Sequence, residues 1–198
     1  MDAVRNWLEN TTWTEAAYFA LPDSNQIIEL SNGKLIIPDM PTLAHQESVG
    51  TLFFDLQFWN RQRRAGTVLI APYSIRLWPG KIREPDVMFY FAEHLDRLEQ
   101  QRGGPPDWAA EVLSPSTRRT DLREKLAEYA RAGVREYWIV DPEARWIEVY
   151  ALEGEQYRQA GRYEAGQEAV SELLPGFTVN VADLFGGGTA EGQEAAPR

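Results

Sequence analysis

Glu111 is the single acid in the apolar run Trp108 to Leu113, and Lys125 follows it within a helix-patterned segment. A buried carboxylate costs several kcal/mol unless it is paired or bound to a cation, so an acid inside a strand calls for a partner. Asp86, directly after Pro85, stands at the start of another apolar run that ends at Phe91. Neighbouring strands lie about 4.8 Å apart, so acids at facing positions can share one divalent cation. A lysine from a helix packed on those strands can approach the same point. Two carboxylates, a lysine and Mg²⁺ together suit phosphodiester hydrolysis. The metal lowers the pKa of a bound water, and both cations neutralise charge that builds on the phosphate.

The elements that must position these groups are legible around them. The segment Asp107 to Pro142 reads as strand, tight loop, helix, turn and strand. Ser114-Pro115-Ser116-Thr117 stops the first strand and offers hydroxyls as helix N-caps. In the helix expected over 119–132, Leu122, Leu126, Tyr129 and Gly133 recur at steps of three and four. At about 100° per residue, Lys125 falls roughly 60° from the centre of that apolar face, at its rim. Asp121 lies one turn earlier on the same edge and reads as an i,i+4 partner of Lys125. Gly133 ends the helix, and Val134 to Val140 returns as an apolar strand.

Upstream, Thr12 to Glu15 matches a capping box and opens a short helix ending near Leu21-Pro22. Ile27 to Leu30 and Leu35 to Ile37 flank Ser31-Asn32-Gly33-Lys34, a hairpin signal, with Glu29 inside the first strand. Ala44 to about Arg64 reads as a long helix, with His45 beside its start as a phosphate contact or a cap. Two short strands follow around Pro72, and Glu93 to Gln101 reads as a surface helix. Downstream, Trp146 to Leu152 and Gln156 to Tyr163 alternate around Glu153-Gly154-Glu155, a second hairpin. The expected organisation is one domain over residues 1–185 and a disordered low-complexity tail at 186–198.

Composition narrows the chemistry. With no cysteine and only two histidines, thiolate zinc sites, disulfides and multi-histidine centres are excluded. Any metal needs oxygen ligands, which favours Mg²⁺ or Mn²⁺. No signal core or membrane-length apolar run is present, so a soluble cytoplasmic protein is expected. The net charge of -10 opposes nucleic-acid binding at first sight. Its distribution softens that objection: residues 114–135 carry six basic side chains against three acidic ones, whereas 141–198 carry four against eleven. A basic patch that includes Arg118, Arg119 and Arg123 can track phosphates on an acidic protein.

Glu29, Pro85-Asp86, Glu111-Val-Leu-Ser-Pro-Ser-Thr117, Asp121, Lys125 and Gly133-Val-Arg-Glu-Tyr-Trp-Ile-Val-Asp-Pro142 occur in an order that resembles the Uma-two family of putative restriction endonucleases. That family belongs to the PD-(D/E)XK nuclease superfamily. The resemblance covers roughly residues 12 to 185. It implies an α/β (α+β) restriction-endonuclease-like core, a central mixed sheet flanked by helices with β-hairpins added at both ends. It further implies a Mg²⁺-dependent endonuclease acting on DNA, with Asp86 and Glu111 as catalytic metal ligands. The superfamily's lysine normally stands two residues after the second acid, a position held here by Leu113. Lys125 then fits a lysine moved to the following helix, and Glu29 matches the glutamate near the metal.

Two other readings stand beside this one. A catalytically idle nucleic-acid or protein-binding module on the same fold suits the acidic charge. A glycosidase-type carboxylate pair leaves the lysine without a role. Cutting both strands of a duplex suits two sites, so a homodimer is the expected assembly.

Overall fold

The computed structural model describes residues 11–22 and 26–185. The tail expected at 186–198 lies outside the described residues. In chain order the elements are α1 (Glu15–Phe19), β1 (Glu29–Ser31), β2 (Lys34–Ile36), α2 (Leu43–Arg63), β3 (Gly66–Ile70), β4 (Ser74–Trp78), β5 (Lys81–Arg83) and β6 (Val87–Phe91). A 3-10 segment (Ala92–Arg97) and the short β7 (Arg102–Gly103) lead to β8 (Trp108–Val112). A π-turn (Thr120–Lys125) runs into α3 (Leu126–Ala132), followed by β9 (Glu136–Asp141), β10 (Trp146–Glu153), β11 (Gln156–Glu164), β12 (Glu168–Val170), β13 (Thr178–Asn180) and α4 (Val181–Leu184).

Two mixed sheets organise the chain. The larger has the order β11-β10-β9-β8-β6-β3, with β8 and β9 parallel and the other pairs antiparallel. The second runs β2-β1-β5-β4-β7. This is the α+β architecture expected, with mixed sheets flanked by helices. The strands expected on either side of Pro72 separate, β3 closing one edge of the larger sheet and β4 joining the second.

Every position of β8 and β9 is buried, as befits strands covered on both faces. On one face α2 contributes Leu52, Leu56 and Trp59 to a core with Trp108, Trp138 and Phe177. On the other, Tyr129 of α3 packs with Met88, Tyr137 and Ile139. Gly66 permits a close strand approach, since a Cβ there would stand 1.8 Å from the Tyr90 carbonyl oxygen.

The segment after β8 departs from a regular helix. Thr120–Lys125 winds as a π-turn, and only Leu126–Ala132 is α-helical, ending at Gly133 with φ +82°. The wider turn rotates Lys125 away from the rim that a 100° periodicity assigns and into the contact, leaving it 4% exposed. Glu93 to Gln101, read as a surface helix, is a 3-10 segment followed by an extended return into β7.

Candidate active site

β6 and β8 pair antiparallel with Val87 opposite Ala110, so Asp86 and Glu111 leave the same end of neighbouring strands. Asp86 Oδ2 accepts from the Val112 backbone N–H at 2.8 Å, which ties the acid to the strand carrying Glu111. His45, in the first turn of α2, brings Nε2 to 3.3 Å from the same oxygen. It is therefore buried against Asp86, on the cleft wall. Burial works against its charged form, but the hydrogen bond and the charge of Asp86 win and raise its pKa.

Lys125 joins the acids from the π-turn. Its Nζ lies 2.9 Å from Glu111 Oε1, 3.1 Å from Asp121 Oδ1 and 3.2 Å from Glu29 Oε1. The contact to Asp121 is an ion pair without hydrogen-bond geometry, so Asp121 Oδ1 receives no hydrogen bond. Sequence spacing thus finds the Asp121–Lys125 pair, and the structure adds two further acids to it.

Arg83 and Tyr129 hold this cluster, and Glu84 stands beside it. Arg83, wholly buried in β5, donates from Nη1 to Glu29 Oε2 at 2.7 Å and from Nε to Glu128 Oε2 at 2.8 Å. The Tyr129 hydroxyl donates to Glu111 Oε1 at 2.6 Å. Glu84 accepts from Ser74 Oγ at 3.1 Å and lies 3.3 Å from the Tyr18 hydroxyl, while its Oε2 is buried and unpartnered. A signal for Arg83 and Glu84 exists, since both stand within three residues of Asp86 in Arg83-Glu-Pro-Asp86.

The cluster is over-supplied with acid. Burial raises the pKa of Glu111, Lys125 opposes that, and Asp121, Asp86 and Glu29 push further, leaving it well above the ordinary carboxylate range. Burial also lifts Asp121 against the pull of Lys125. Lys125 is held well above its usual value because its acid neighbours outweigh the cost of burying it. Glu29 goes the other way: Lys125 and Arg83 overcome burial and lower its pKa. Glu84 has no ion-pair partner among the described residues, and burial is the main cause that lifts it to about 7.

Burial of an acid in a strand is not itself a sign of chemistry, as Glu136 of β9 demonstrates. Equally buried, it accepts from Trp108 Nε1, Trp138 Nε1, Ser171 Oγ and the backbone N–H groups of Glu172 and Leu173 at 2.6 to 3.0 Å. Five donors satisfy both of its oxygens. Glu111 receives both of its contacts on Oε1, and Asp86 receives both on Oδ2. Among the described residues, the second oxygen of each has no protein hydrogen bond, and neither is sealed from solvent.

Those two oxygens suit a hard dication. Among the described residues no three His, Asp or Glu side chains form a ready-made metal cage. Mg²⁺ does not require one, because it is commonly held by one or two carboxylates together with waters and phosphate oxygens. A cavity of about 330 Å³ opens over His45, Glu84, Asp86, Glu111 and Lys125. A groove of about 550 Å³, lined by Asn32, Lys34, Thr117, Thr120 and Asp121, also reaches Lys125. Of the arginines expected to meet phosphate, Arg119 and Arg123 are exposed, whereas Arg118 is half-buried and pairs with Asp141 at 2.6 Å. No helix is long and apolar enough to cross a membrane among the described residues.

No curated protein matches the chain. A solved structure described as a putative nuclease belonging to DUF820 from Anabaena variabilis superposes with a TM-score of 0.73 at 19% identity, covering 87% of this chain and 97% of that one. At this identity the likeness speaks for the fold alone. Residues 16–182 match the sequence model of the Uma2 family, described as "Putative restriction endonuclease". The chain belongs to that family.

Proposed function

We propose that this cleft hydrolyses DNA phosphodiester bonds with a bound Mg²⁺ or Mn²⁺ ion, in a cytoplasmic enzyme. The observation that carries the reading is the pairing of Lys125 with Glu111 at 2.9 Å, beside an Asp86 whose second oxygen has no hydrogen bond among the described residues. Asp86 and Glu111 would hold the cation, which when bound supplies an activated water and charge neutralisation at the phosphate. Lys125 contributes a fixed ammonium against the negative charge that builds on the phosphoryl oxygens. Tyr129 and Arg83 orient Glu111 and Glu29 respectively, so that the ammonium meets its acids without searching. His45 holds Asp86 from the α2 side. Arg119 and Arg123 are free to meet the backbone of the duplex, and Arg118 reaches it only by giving up Asp141.

The crowding of three acids, Glu29, Glu111 and Asp121, around one lysine, with Asp86 close by, supports a second reading. A binding module that keeps the fold has equal use for a buried ion-pair cluster, and its net charge of -10 suits a protein partner better than DNA. Plasmid and linear duplex cleavage with Mg²⁺ or Mn²⁺, in wild type and Asp86→Ala, separates the two. Metal-dependent cleavage lost in Asp86→Ala supports the nuclease. Absence of cleavage with either metal supports the idle module.

A further inference from the structure

The long helix α2 is apolar on two opposite faces. Leu52, Leu56 and Trp59 enter the core. Phe54 and Phe58 point the other way, 66% and 58% exposed, and stack with ring centroids 6.4 Å apart. At about 100° per residue, Leu43, Glu47, Gly50, Phe54, Phe58 and Arg61 lie within about 40° of Phe54. All six are exposed, and none lines the cleft.

From Glu47 to Arg61 this stripe is complementary to itself when reversed about Phe54. Glu47 and Arg61 stand at equal distances on either side of it, as do Gly50 and Phe58. Neither Glu47 nor Arg61 has an ion-pair partner among the described residues. At Gly50 an added Cβ would meet nothing within 4 Å, so the glycine bares backbone at a notch in the helix surface. A mid-helix glycine is costly, and an aromatic ring seated over it gives it a use.

We infer that this face is a self-association surface on which a second copy of the chain packs antiparallel, with Phe54 of both copies at the two-fold axis. In that register Glu47 of each copy meets Arg61 of the other, and Phe58 of each covers Gly50 of the other. The contact is isologous, as two-fold dimers require. It goes beyond the proposed hydrolysis and does not depend on it.

Sedimentation velocity of the full chain over a concentration series tests the arrangement. Wild type shifts to a dimer with rising concentration, and Phe54→Asp/Phe58→Asp stays monomeric. Glu47→Arg and Arg61→Glu each weaken the dimer about tenfold or more, because symmetry places every repulsive pair twice. The combined Glu47→Arg/Arg61→Glu variant exchanges the charges and restores the dimer. All four variants change exposed side chains, so their circular dichroism matches wild type. A monomeric wild type, a dimer that survives Phe54→Asp/Phe58→Asp, or a charge exchange that restores nothing overturns the inference.

Discussion

Lys125 Nζ and Glu111 Oε1 lie 2.9 Å apart, with one group from a π-turn and the other from a strand buried on both faces. Glu111 is 3% exposed and Lys125 4%, so the pair sits in low dielectric. Tyr129 completes the contact by donating to the same oxygen. The second oxygen of Glu111, without a hydrogen bond among the described residues, is the one open to a cation. One carboxylate can thus face an ammonium and a metal ion without either displacing the other.

Metal binding comes first. A ligand that binds only the native state raises the melting temperature, so Mg²⁺ should raise it in wild type. Asp86→Ala and Glu111→Gln should lose most of that rise in calorimetry. Without metal, Glu111→Gln should cost less than breaking a buried ion pair usually does, because burial and the neighbouring acids already oppose the charge it removes. An undiminished metal response in both variants contradicts a shared cation.

Glu84 sets a pH dependence in metal-free buffer. Its folded pKa of about 7 lies above the ordinary 4.5, so the native state holds the proton more tightly than the unfolded chain. The associated stability is present below about pH 4.5 and is lost as pH rises through about 7. Glu84→Gln should therefore flatten the fall in stability between those values and gain on the order of 1–3 kcal/mol at pH 8. Chemical denaturation at several pH values reads this directly.

Arg83 should be the least replaceable side chain of the cluster. Arg83→Met leaves Glu29 to Lys125 alone and Glu128 to Lys81 alone, and should cost about 3 kcal/mol, the lower end of the scale of breaking a buried ion pair. Arg83→Lys should recover only part of this, since an ammonium cannot span both carboxylates with the planar fork of a guanidinium. Urea denaturation of the two variants checks both the size and the order.

Exposed arginines give a salt test. If Arg119 and Arg123 each neutralise one phosphate, Arg119→Ala/Arg123→Ala should reduce the slope of log affinity against log salt by about 1.8, at about 0.9 per contact. The loss should be the same for unrelated DNA sequences. Fluorescence anisotropy at several salt concentrations measures it, and an unchanged slope removes both residues from the interface.

Much of this site is legible in the amino-acid sequence. Glu111 stands out as a lone acid in an apolar run, Asp86 by its place before a strand, and Lys125 by its position near the apolar face of a helix. The π-turn is not legible, because a shift in backbone hydrogen bonding leaves no mark on side-chain periodicity. That shift is why Lys125 is buried and not at the rim. Arg83 stands near Asp86 in the sequence, but its pairing with Glu29 is not legible, because the two meet only through the pairing of β1 with β5, a contact across some fifty residues that local patterns do not encode. Glu136 is hidden in the same way within a strand that reads as apolar, since its five donors come from three separate stretches of chain.

A nuclease of the proposed kind needs the Lys125 ammonium to act on the phosphate as well as to hold the acids. The direct measurement is the rate of duplex cleavage by Lys125→Met under saturating Mg²⁺, alongside its melting temperature and DNA affinity. Methionine keeps the aliphatic stem and removes the charge. Any stability cost of taking the ammonium away from Glu111, Asp121 and Glu29 appears in the melt. At a temperature where the variant remains folded and binds DNA, cleavage should fall by about 10²-fold or more, the scale of losing one transition-state contact. Leu113→Lys in the same background returns an ammonium to the strand and should restore part of the rate. A folded Lys125→Met that cleaves as fast as wild type would contradict this role and leave Lys125 as a structural partner of Glu111, Asp121 and Glu29.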